Sequence, residues 1–539
     1  MADSTIPVRT PLAWMQSFWR EGLFPQSEAA TTKPKLLSLL LLLLLPAWLL
    51  YPCLSFHLLE PDEGRYAQIP KEMLERGEWV VPQLMCEPYL DKPPLFYWLL
   101  MLSYKAFGIS EASARLVPAI CVHLTILAVY WLGRRSVGER AAFWAGVLLT
   151  VAPGYLGIAR FLVLDGLLTL CVTASILCGY EAIRTGILRR GWWLAAAAWS
   201  GLGFLTKGPI SEVLLFPPLV AFAALSGAAA KIPLRDVFRF AGVVLAVNLP
   251  WYVAMGVQRP EFLGYFFWEH NVMRFAKPFD HLQPIWFYVP VLLLGFWPAV
   301  PIAFTYARDV LKGHATGRTS HGGFWMLAGL WCLAFFSIGG SKLPTYILPA
   351  YPLLALALGE SISRSGWNRS AWLKGIVVAS ALLLGGANHY AVPWYAKERS
   401  PMGRPEIVLP YVGDPEVTVV SYPRNVDSVA FYTGRSDISP IRTKDANRLL
   451  VESQFRPRTV VLFTHDHSLH GFRENLKGAI DCRVRIAHST DLRRKDGPKW
   501  LNGLLGGGPW GLCDIAVLEP IPPTPAKPIV QAGAELPAK

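Results

Sequence analysis

The feature that most constrains the fold is an apolar run over residues 36–59 that carries no Asp, Glu, Lys or Arg. A helix needs about 20 apolar residues to cross the hydrocarbon core of a bilayer, so this run predicts a membrane span. Hydrophobic residues make up 53% of the 539-residue chain and charged residues only 17%, a balance that excludes an ordinary soluble enzyme. The sequence therefore predicts an α-helical polytopic membrane protein.

Hydropathy predicts eleven spans. They lie near residues 36–58, 112–132, 141–159, 165–183, 192–206, 209–227, 238–256, 286–306, 322–338, 345–360 and 372–390. Five loops on the N-terminal side of these spans hold three basic residues each: Arg134, Arg135 and Arg140; Arg184, Arg189 and Arg190; Lys231, Arg235 and Arg239; Arg308, Lys312 and Arg318; Arg364, Arg369 and Lys374. Because basic loops stay in the cytoplasm, we expect a cytoplasmic N-terminus. This pattern explains the net charge of +13 better than nucleic-acid binding does.

Composition divides the chain into four predicted parts. These are a cytoplasmic N-terminal segment (1–35), a transmembrane catalytic domain (36–390) with a large outer loop (59–111), a periplasmic α/β domain (391–519) and a disordered Pro- and Ala-rich tail (520–539). Four strand-like runs, EVTVVSY, TVVLFTHD, CRVRIAHS and CDIAVLE, alternate with helix-like segments in the α/β domain. Cys482 and Cys513 lie in two of these strands. If the domain is periplasmic, they form a disulfide or remain free thiols, and the sequence does not decide between the two.

The residues that attract attention lie in the loops on the side opposite the basic loops. The stretch 60–98 holds Asp62, Glu63, Arg65, Asp91 and Lys92. The later outer loops add Asp165, Lys207, His270, Arg274, Lys342 and Tyr346. Ionisable groups beside hydrocarbon are costly and therefore mark functional sites.

Carboxylates and cations gathered at one membrane surface suit an amphiphilic anionic substrate. Lys and Arg side chains hold phosphate groups, and a carboxylate accepts a proton from an attacking hydroxyl. The chain contains no Walker loop and no strand-linked GxGxxG, so no nucleotide cofactor is expected. A transferase working outside the cytoplasm then needs an activated donor carried by a lipid.

Several of these residues have a purely structural interpretation as well. Asp165 is either catalytic or a buried helix N-cap, and Lys207 and Lys342 either bind substrate or snorkel at helix ends. A histidine such as His270 is more often packed than a ligand, and acids such as Glu72 and Glu75 are typical of a solvated face. His465, Asp466, His467 and His470 resemble a metal site in composition, but a polar loop explains them equally.

Six short motifs occur in the order DEGRYA, DKPPLFYW, RFLVLDGLLT, FLTKGP, EHNVMRF and SKLPTYILP. As a set, over about residues 36–360, they resemble the bacterial aminoarabinose transferases of lipid A. More broadly, the chain resembles the integral-membrane GT-C glycosyltransferases related to the protein mannosyltransferases. In the family these enzymes have thirteen spans rather than eleven.

The resemblance implies a polyprenyl-phosphate-linked sugar donor and an extracytoplasmic active site. Asp62 would be the principal catalytic carboxylate with Arg65 beside it, Lys92 and Arg274 would bind the donor phosphate, and Tyr346 would line the same site. Asp91 and His270 match positions where the family places a divalent metal, although Asp91 stands where Glu is common. The motifs specify neither the sugar nor the acceptor.

We therefore expect an inverting glycosyltransferase of the bacterial inner membrane that acts on lipid A or another envelope glycan. The alternative is a transporter or flippase for lipid-linked sugars. Such a protein places ionisable groups near the bilayer midplane and often shows internal repeats. The predicted spans are almost free of charge and show no repeat, which favours the enzyme.

Overall fold

The computed structural model describes residues 34–227, 229–277, 281–311, 320–463, 482–488 and 514–520. The chain forms two compact units, residues 1–397 and 398–539. The predictions made for residues 1–33, for Cys513, for the group from His465 to His470 and for residues 521–539 fall outside the described residues.

The first unit is built from helices, with one short hairpin. In chain order the elements are α1 (Leu36–Leu50), α2 (Asp62–Arg76), β1 (Gln83–Leu84), β2 (Glu87–Pro88), α3 (Leu95–Phe107), α4 (Glu111–Val137), α5 (Glu139–Thr150), α6 (Asp165–Ile183), α7 (Arg190–Lys207), α8 (Ile210–Leu225), α9 (Leu234–Gln258), α10 (Glu261–Gly264), α11 (Arg274–Ala276), α12 (Tyr288–Gly295), α13 (Val300–Leu311), α14 (Ser320–Ile338), α15 (Ala350–Ser365), α16 (Ala371–Gly386) and α17 (Val392–Arg399), which crosses the boundary between the units. A wide π-helical turn, Tyr265–Met273, joins α10 to α11.

Six segments of the described chain are long and apolar enough to cross a membrane, so this is a multi-span membrane protein. They are Leu36–Cys53, Glu111–Val137, Asp165–Ile183, Leu234–Gln258, His321–Ile338 and Ala371–Arg399. Each of the eleven predicted spans coincides with helix, but the others are shorter, less apolar or bent. The count of eleven therefore stays a prediction.

The predicted span at 286–306 is not one straight helix. The helices Tyr288–Gly295 and Trp297–Arg308 meet at an angle of 85°. Pro298 follows directly on this bend, and proline has no backbone N–H to continue the hydrogen-bond ladder of a helix.

A second difference lies in the predicted outer loop 59–111, which contains the apolar helix α3. Its 13 residues are too few for the length criterion that identifies spans.

Helix α6 lies at the centre of the first unit, and all its residues are buried. Its sequence, DGLLTLCVTASILCGYEAI, is rich in Gly, Ala, Ser, Thr and Cys, which let neighbouring helices approach closely. It packs against α4, α7 and α8. Gly179 illustrates the close fit, because a Cβ there would lie 2.7 Å from the Leu219 side chain. The two ends of this buried helix carry the charged groups described below.

The second unit contains a five-stranded mixed sheet, formed by the four strand-like runs that the sequence predicts and one short further strand. Its elements are α18 (Pro405–Val412), β3 (Thr418–Tyr422), α19 (Asp427–Thr433), β4 (Ser439–Pro440), α20 (Ala446–Gln454), β5 (Thr459–Phe463), β6 (Cys482–His488) and β7 (Asp514–Pro520). The strand order is β4-β3-β5-β7-β6, with β3 parallel to β4 and β5 and with β7 antiparallel to β5 and β6. Every residue of the central strand β5 is buried.

Candidate active site

Helix α2 begins at the first candidate residue, Asp62. Two acids in its first turn, Asp62 and Glu63, stabilise the helix because their negative charges lie at the positive end of the helix dipole. The helix ends at Gly77, which has a φ of +67°. The Asp62 side chain is 47% exposed, and its carboxylate lies 3.6 Å from the Arg65 guanidinium one turn along. Asp62 and Arg65 therefore form an accessible pair of opposite charges.

Glu63 points away from this pair. It is 3% exposed and forms a bidentate ion pair with the fully buried Arg115, at 2.9 and 2.6 Å. Because neighbouring side chains on a helical turn point about 100° apart, we predict that Glu63 takes no part in the chemistry for which Asp62 is the candidate. The accompanying expectation that Glu72 is solvated is wrong. Glu72 is 1% exposed and accepts hydrogen bonds from the amides of Met85 and Cys86, which secures the hairpin turn.

Asp91, Lys92 and His270 form a second group, although His270 is far away in sequence. The Lys92 Nζ atom lies 2.6 Å from His270 Nε2 and donates to the Asp91 carbonyl at 3.1 Å. The Tyr265 hydroxyl donates to the Asp91 carboxylate at 2.6 Å. Burial and the charge of Lys92 lower the pKa of His270 to about 3, so the ring is neutral. Its Nε2 then accepts from Lys92, which leaves the ring proton on Nδ1.

Four cations gather in this region, and we call Arg65, Lys92, Lys207 and Arg274 the cation cluster. Burial lowers the pKa of Lys92 to about 7. The Asp91 carboxylate opposes that shift, while the charges of Lys207, Arg274 and Arg65 reinforce it. Since like charges destabilise one another in a low-dielectric setting, the cluster is electrostatically prepared to receive an anion.

Asp165 and Lys207 bring the ends of α6 and α7 into the same region. Lys207 Nζ lies 2.5 Å from the Asp165 carboxylate and 4.7 Å from the centre of the Tyr346 ring. Helix α6 begins at Asp165 itself, and its N-cap residue is Leu164, so the side chain forms an ion pair rather than a cap. Burial raises the pKa of Tyr66, and the carboxylates of Asp62 and Asp165 raise it further. Tyr66 therefore lies within electrostatic reach of both acids.

Lys342 has different surroundings. It is 3% exposed, and its Nζ donates to the backbone carbonyls of Gln283 and Gly339 at 2.9 and 2.5 Å. These bonds tie the segment after α14 to the segment before α12, next to the bridge between Leu282 and Ser341. In the described residues Lys342 thus supports loop structure, and its role in substrate binding stays a prediction.

The metal interpretation concerns Asp91 and His270. Their closest atoms, the Asp91 carboxylate oxygen and His270 Nδ1, are 3.8 Å apart. Lys92 already occupies the other ring nitrogen. Within the described ranges no group of three or more His, Cys, Asp or Glu side chains is placed to hold an ion. As arranged, this pair does not fit a metal.

Two further tyrosines, which the sequence does not predict as site residues, belong to the site. The Tyr89 phenol is hydrogen-bonded to both Arg65 and Asp91, and burial raises its pKa. Tyr265 holds the Asp91 carboxylate. Both lie in loops that the motifs had already marked, but a tyrosine in an apolar membrane protein carries no signal of its own. Only the fold reveals that Tyr265 reaches Asp91.

The chain is similar in sequence to several known proteins. Residues 91–254 match the family model described as dolichyl-phosphate-mannose-protein mannosyltransferase. Curated relatives named undecaprenyl phosphate-alpha-4-amino-4-deoxy-L-arabinose arabinosyl transferase include one from Edwardsiella ictaluri, 32% identical over 57% of this chain and 55% of the relative. Another, from Pseudomonas savastanoi pv. phaseolicola, is 34% identical over 65% of this chain and 66% of the relative. The chain thus spans between about half and two thirds of the length of these relatives.

A solved structure covers much more of the chain. The crystal structure of ArnT from Cupriavidus metallidurans bound to undecaprenyl phosphate matches 89% of this chain and 97% of its own, with a TM-score of 0.68 and 20% identity. The chain has the fold of ArnT. The apo form of ArnT gives a TM-score of 0.66, and the Archaeoglobus fulgidus oligosaccharyltransferase gives 0.50 at 13% identity. The predicted GT-C fold and the resemblance to the aminoarabinose transferases are confirmed.

Proposed function

We propose that this protein is an integral-membrane glycosyltransferase that moves a sugar from a polyprenyl-phosphate donor to an extracytoplasmic acceptor, lipid A or another envelope glycan. The observation that carries the proposal is the cation cluster beside two carboxylates, Asp62 and Asp165. The names of the curated relatives support an undecaprenyl-phosphate-linked sugar as the donor.

The cation cluster supplies the phosphate-binding part of the site. Lys92 and Arg274 hold the donor phosphate, and Arg65 and Lys207 add positive charge around it. As the bond between C1 of the sugar and the phosphate oxygen breaks, negative charge develops on the leaving phosphate. Cations already in place stabilise that charge without reorganisation. Neutral His270 accepts a hydrogen bond from Lys92 and so fixes the direction of its ammonium group.

The carboxylates supply the acceptor part of the site. Asp62 is accessible and accepts the proton of the acceptor hydroxyl as that hydroxyl attacks C1 from the face opposite the phosphate, which inverts the configuration. Asp165 forms an ion pair with Lys207, and the Lys207 ammonium group makes a cation–π contact with the Tyr346 ring. Asp91, Tyr89 and Tyr265 maintain the position of the loop that bears Lys92.

The proposed location is the bacterial inner membrane, with a cytoplasmic N-terminus and with the site and the second unit in the periplasm. The basic loops support this orientation. Helix α6 begins at Asp165, and Arg184 directly follows its other end. This agrees with candidate site residues and basic loops on opposite faces of the membrane. A reporter fused after residue 400 should be active only if it is of the periplasmic type. Activity of a cytoplasmic reporter there would contradict the orientation and the mechanism together.

The experiment that tests the function is transfer by the purified protein. Undecaprenyl-phosphate-linked 4-amino-4-deoxy-L-arabinose and lipid A are supplied in detergent, and the lipid A is analysed by mass spectrometry. We expect lipid A that has gained one sugar residue, with release of undecaprenyl phosphate. Absence of transfer to lipid A and to extracted envelope glycans would contradict the proposal. Movement of donor across a vesicle membrane without transfer would indicate the transporter instead.

A further inference from the structure

We infer that the buried ion pair between Glu63 and Arg115 is a positioning element that sets the geometry of Asp62 and Asp165. The inference rests on the proposed function, since it assigns a role in the same reaction. Neither residue touches the cation cluster through its described contacts, so the action is exerted through the backbone segments that the pair joins.

Arg115 anchors the segment that leads into α2. It is fully buried and stands in the first turns of α4, a helix that begins with a capping box between Ser110 and Ser113. Besides its pair with Glu63, Arg115 donates to the backbone carbonyls of three residues before Asp62. Those carbonyls belong to Leu54, Phe56 and His57, at 2.9, 2.5 and 3.1 Å.

Glu63 joins this anchor to the segment that precedes α6. Its carboxylate accepts from the Leu162 amide at 2.9 Å and from the Leu59 amide at 3.0 Å. Nearby, Arg160 donates to the Cys53 carbonyl at 3.1 Å. One carboxylate therefore connects three parts of the chain: the segment before α2, helix α4 and the turn that ends at Asp165. Burial opposes ionisation of Glu63, but Arg115 and these hydrogen bonds outweigh it and lower the pKa of Glu63, so the charge is retained.

The catalytic carboxylate has little support of its own. Asp62 is 47% exposed. The position of its side chain depends on the first turn of α2, in which Glu63 is the next residue. Asp165 follows the Leu162 amide by three residues. Loss of the Glu63 charge would free both segments at once. A displacement of about 1 Å between reacting groups can lower turnover by about 100-fold even when binding is kept.

The test compares Glu63→Gln with Glu181→Gln. Glu181 is a matched control because it is equally buried and pairs with arginines, but at the far end of α6 from Asp165. For each variant in detergent, the measurements are the melting temperature, the affinity for undecaprenyl phosphate, and kcat and KM for transfer well below the melting temperature. Glu63→Asp is the second variant, because it keeps the charge on a side chain shorter by one methylene.

We expect both glutamine variants to melt at lower temperature and both to keep their affinity for undecaprenyl phosphate. Only Glu63→Gln should lose kcat, by about 100-fold, and Glu63→Asp should recover part of it. Equal kcat in the two glutamine variants would overturn the inference. If Glu63→Gln does not fold, Glu63→Asp decides: a reduced kcat supports positioning, while wild-type kcat or failure to fold overturns it. An inactive wild type would instead overturn the proposed function and this inference with it.

Discussion

The charged residues at the two ends of helices α6 and α7 are paired in different ways. In the last turn of α6, Glu181 is paired with three arginines, Arg135, Arg184 and Arg189, and we call these four residues the Glu181 network. At the start of α9, Asp236 is paired in the same way with Arg190, Arg235 and Arg239. In each case several cations share one buried acid that satisfies them.

At the other end the cations have partners of different kinds. Lys207 pairs with Asp165 and Arg65 with Asp62, but Lys92 contacts a neutral histidine. Burial lowers the pKa of Lys92 to about 7, and the charges of Lys207, Arg274 and Arg65 add to that shift. The comparison distinguishes charge that stabilises the fold from charge arranged to meet an anion that arrives from outside. Charged residues in a membrane protein are therefore informative only when their partners are known.

The largest expected effect is on the Glu181 network. Glu181→Gln leaves Arg184, which is 5% exposed, without its carboxylate partner. Removing one partner of a buried pair costs 3–5 kcal/mol; we expect about 3 kcal/mol of unfolding free energy, since Arg135 and Arg189 are partly exposed. The melting temperature in detergent should fall while undecaprenyl phosphate still binds. If Glu181→Gln instead lost affinity for undecaprenyl phosphate and kept its melting temperature, the Glu181 network would serve binding rather than stability, and the comparison would fail.

Next in size is the effect of Asp62→Asn on turnover. The asparagine keeps the size and hydrogen bonding of the side chain but cannot accept a proton, so kcat should fall by about 100-fold or more. Donor affinity should change little, because the cation cluster remains. Glu75→Gln is the control, since Glu75 lies on the same helix and is exposed. Near-normal turnover in Asp62→Asn would make Asp165 the better candidate for the base.

The smallest effect is expected for single members of the cation cluster. Lys92→Ala and Arg274→Ala each remove one charge-assisted contact to the donor phosphate, which costs about 1.5–3 kcal/mol of binding free energy. Titration with undecaprenyl phosphate measures this loss. Lys231→Ala, which removes an exposed cation from a basic loop at the opposite end, should bind as tightly as the wild type. Unchanged affinity in both cluster variants would remove them from the site.

The sequence predicts the helices and the strands well, because apolar length and alternation are local properties. It also places Asp62, Lys92, Asp165, Lys207, His270 and Arg274 on one side of the membrane. It fails where a single residue or a distant partner decides. The predicted span at 286–306 is bent by 85° just before Pro298, and Glu72 is buried because it accepts hydrogen bonds from the hairpin amides. The bond from Tyr265 to Asp91 joins residues 174 positions apart, and no periodicity reports such a contact. The same holds for Glu63, whose partner Arg115 lies in another helix.

From the geometry of one helical turn alone, Glu63→Gln would be expected to have only a small effect on turnover, and the structure changes this expectation. That expectation followed from the geometry of one helical turn, which correctly turns Glu63 away from Asp62. It did not include the partner that Glu63 meets there. Because Arg115 is fully buried, removing the opposing charge is costly. A residue outside the chemistry is therefore not a neutral control, and Glu75 is the better choice.

The measurement that tests the central claim most directly compares undecaprenyl phosphate with undecaprenol, the same lipid without phosphate. Both are titrated into the wild type and into the double variant Lys92→Ala/Arg274→Ala in detergent. If the cation cluster recognises the phosphate, the wild type binds undecaprenyl phosphate much more tightly, while the double variant binds both lipids with similar, weak affinity. A double variant that keeps the full preference for the phosphate would contradict the account.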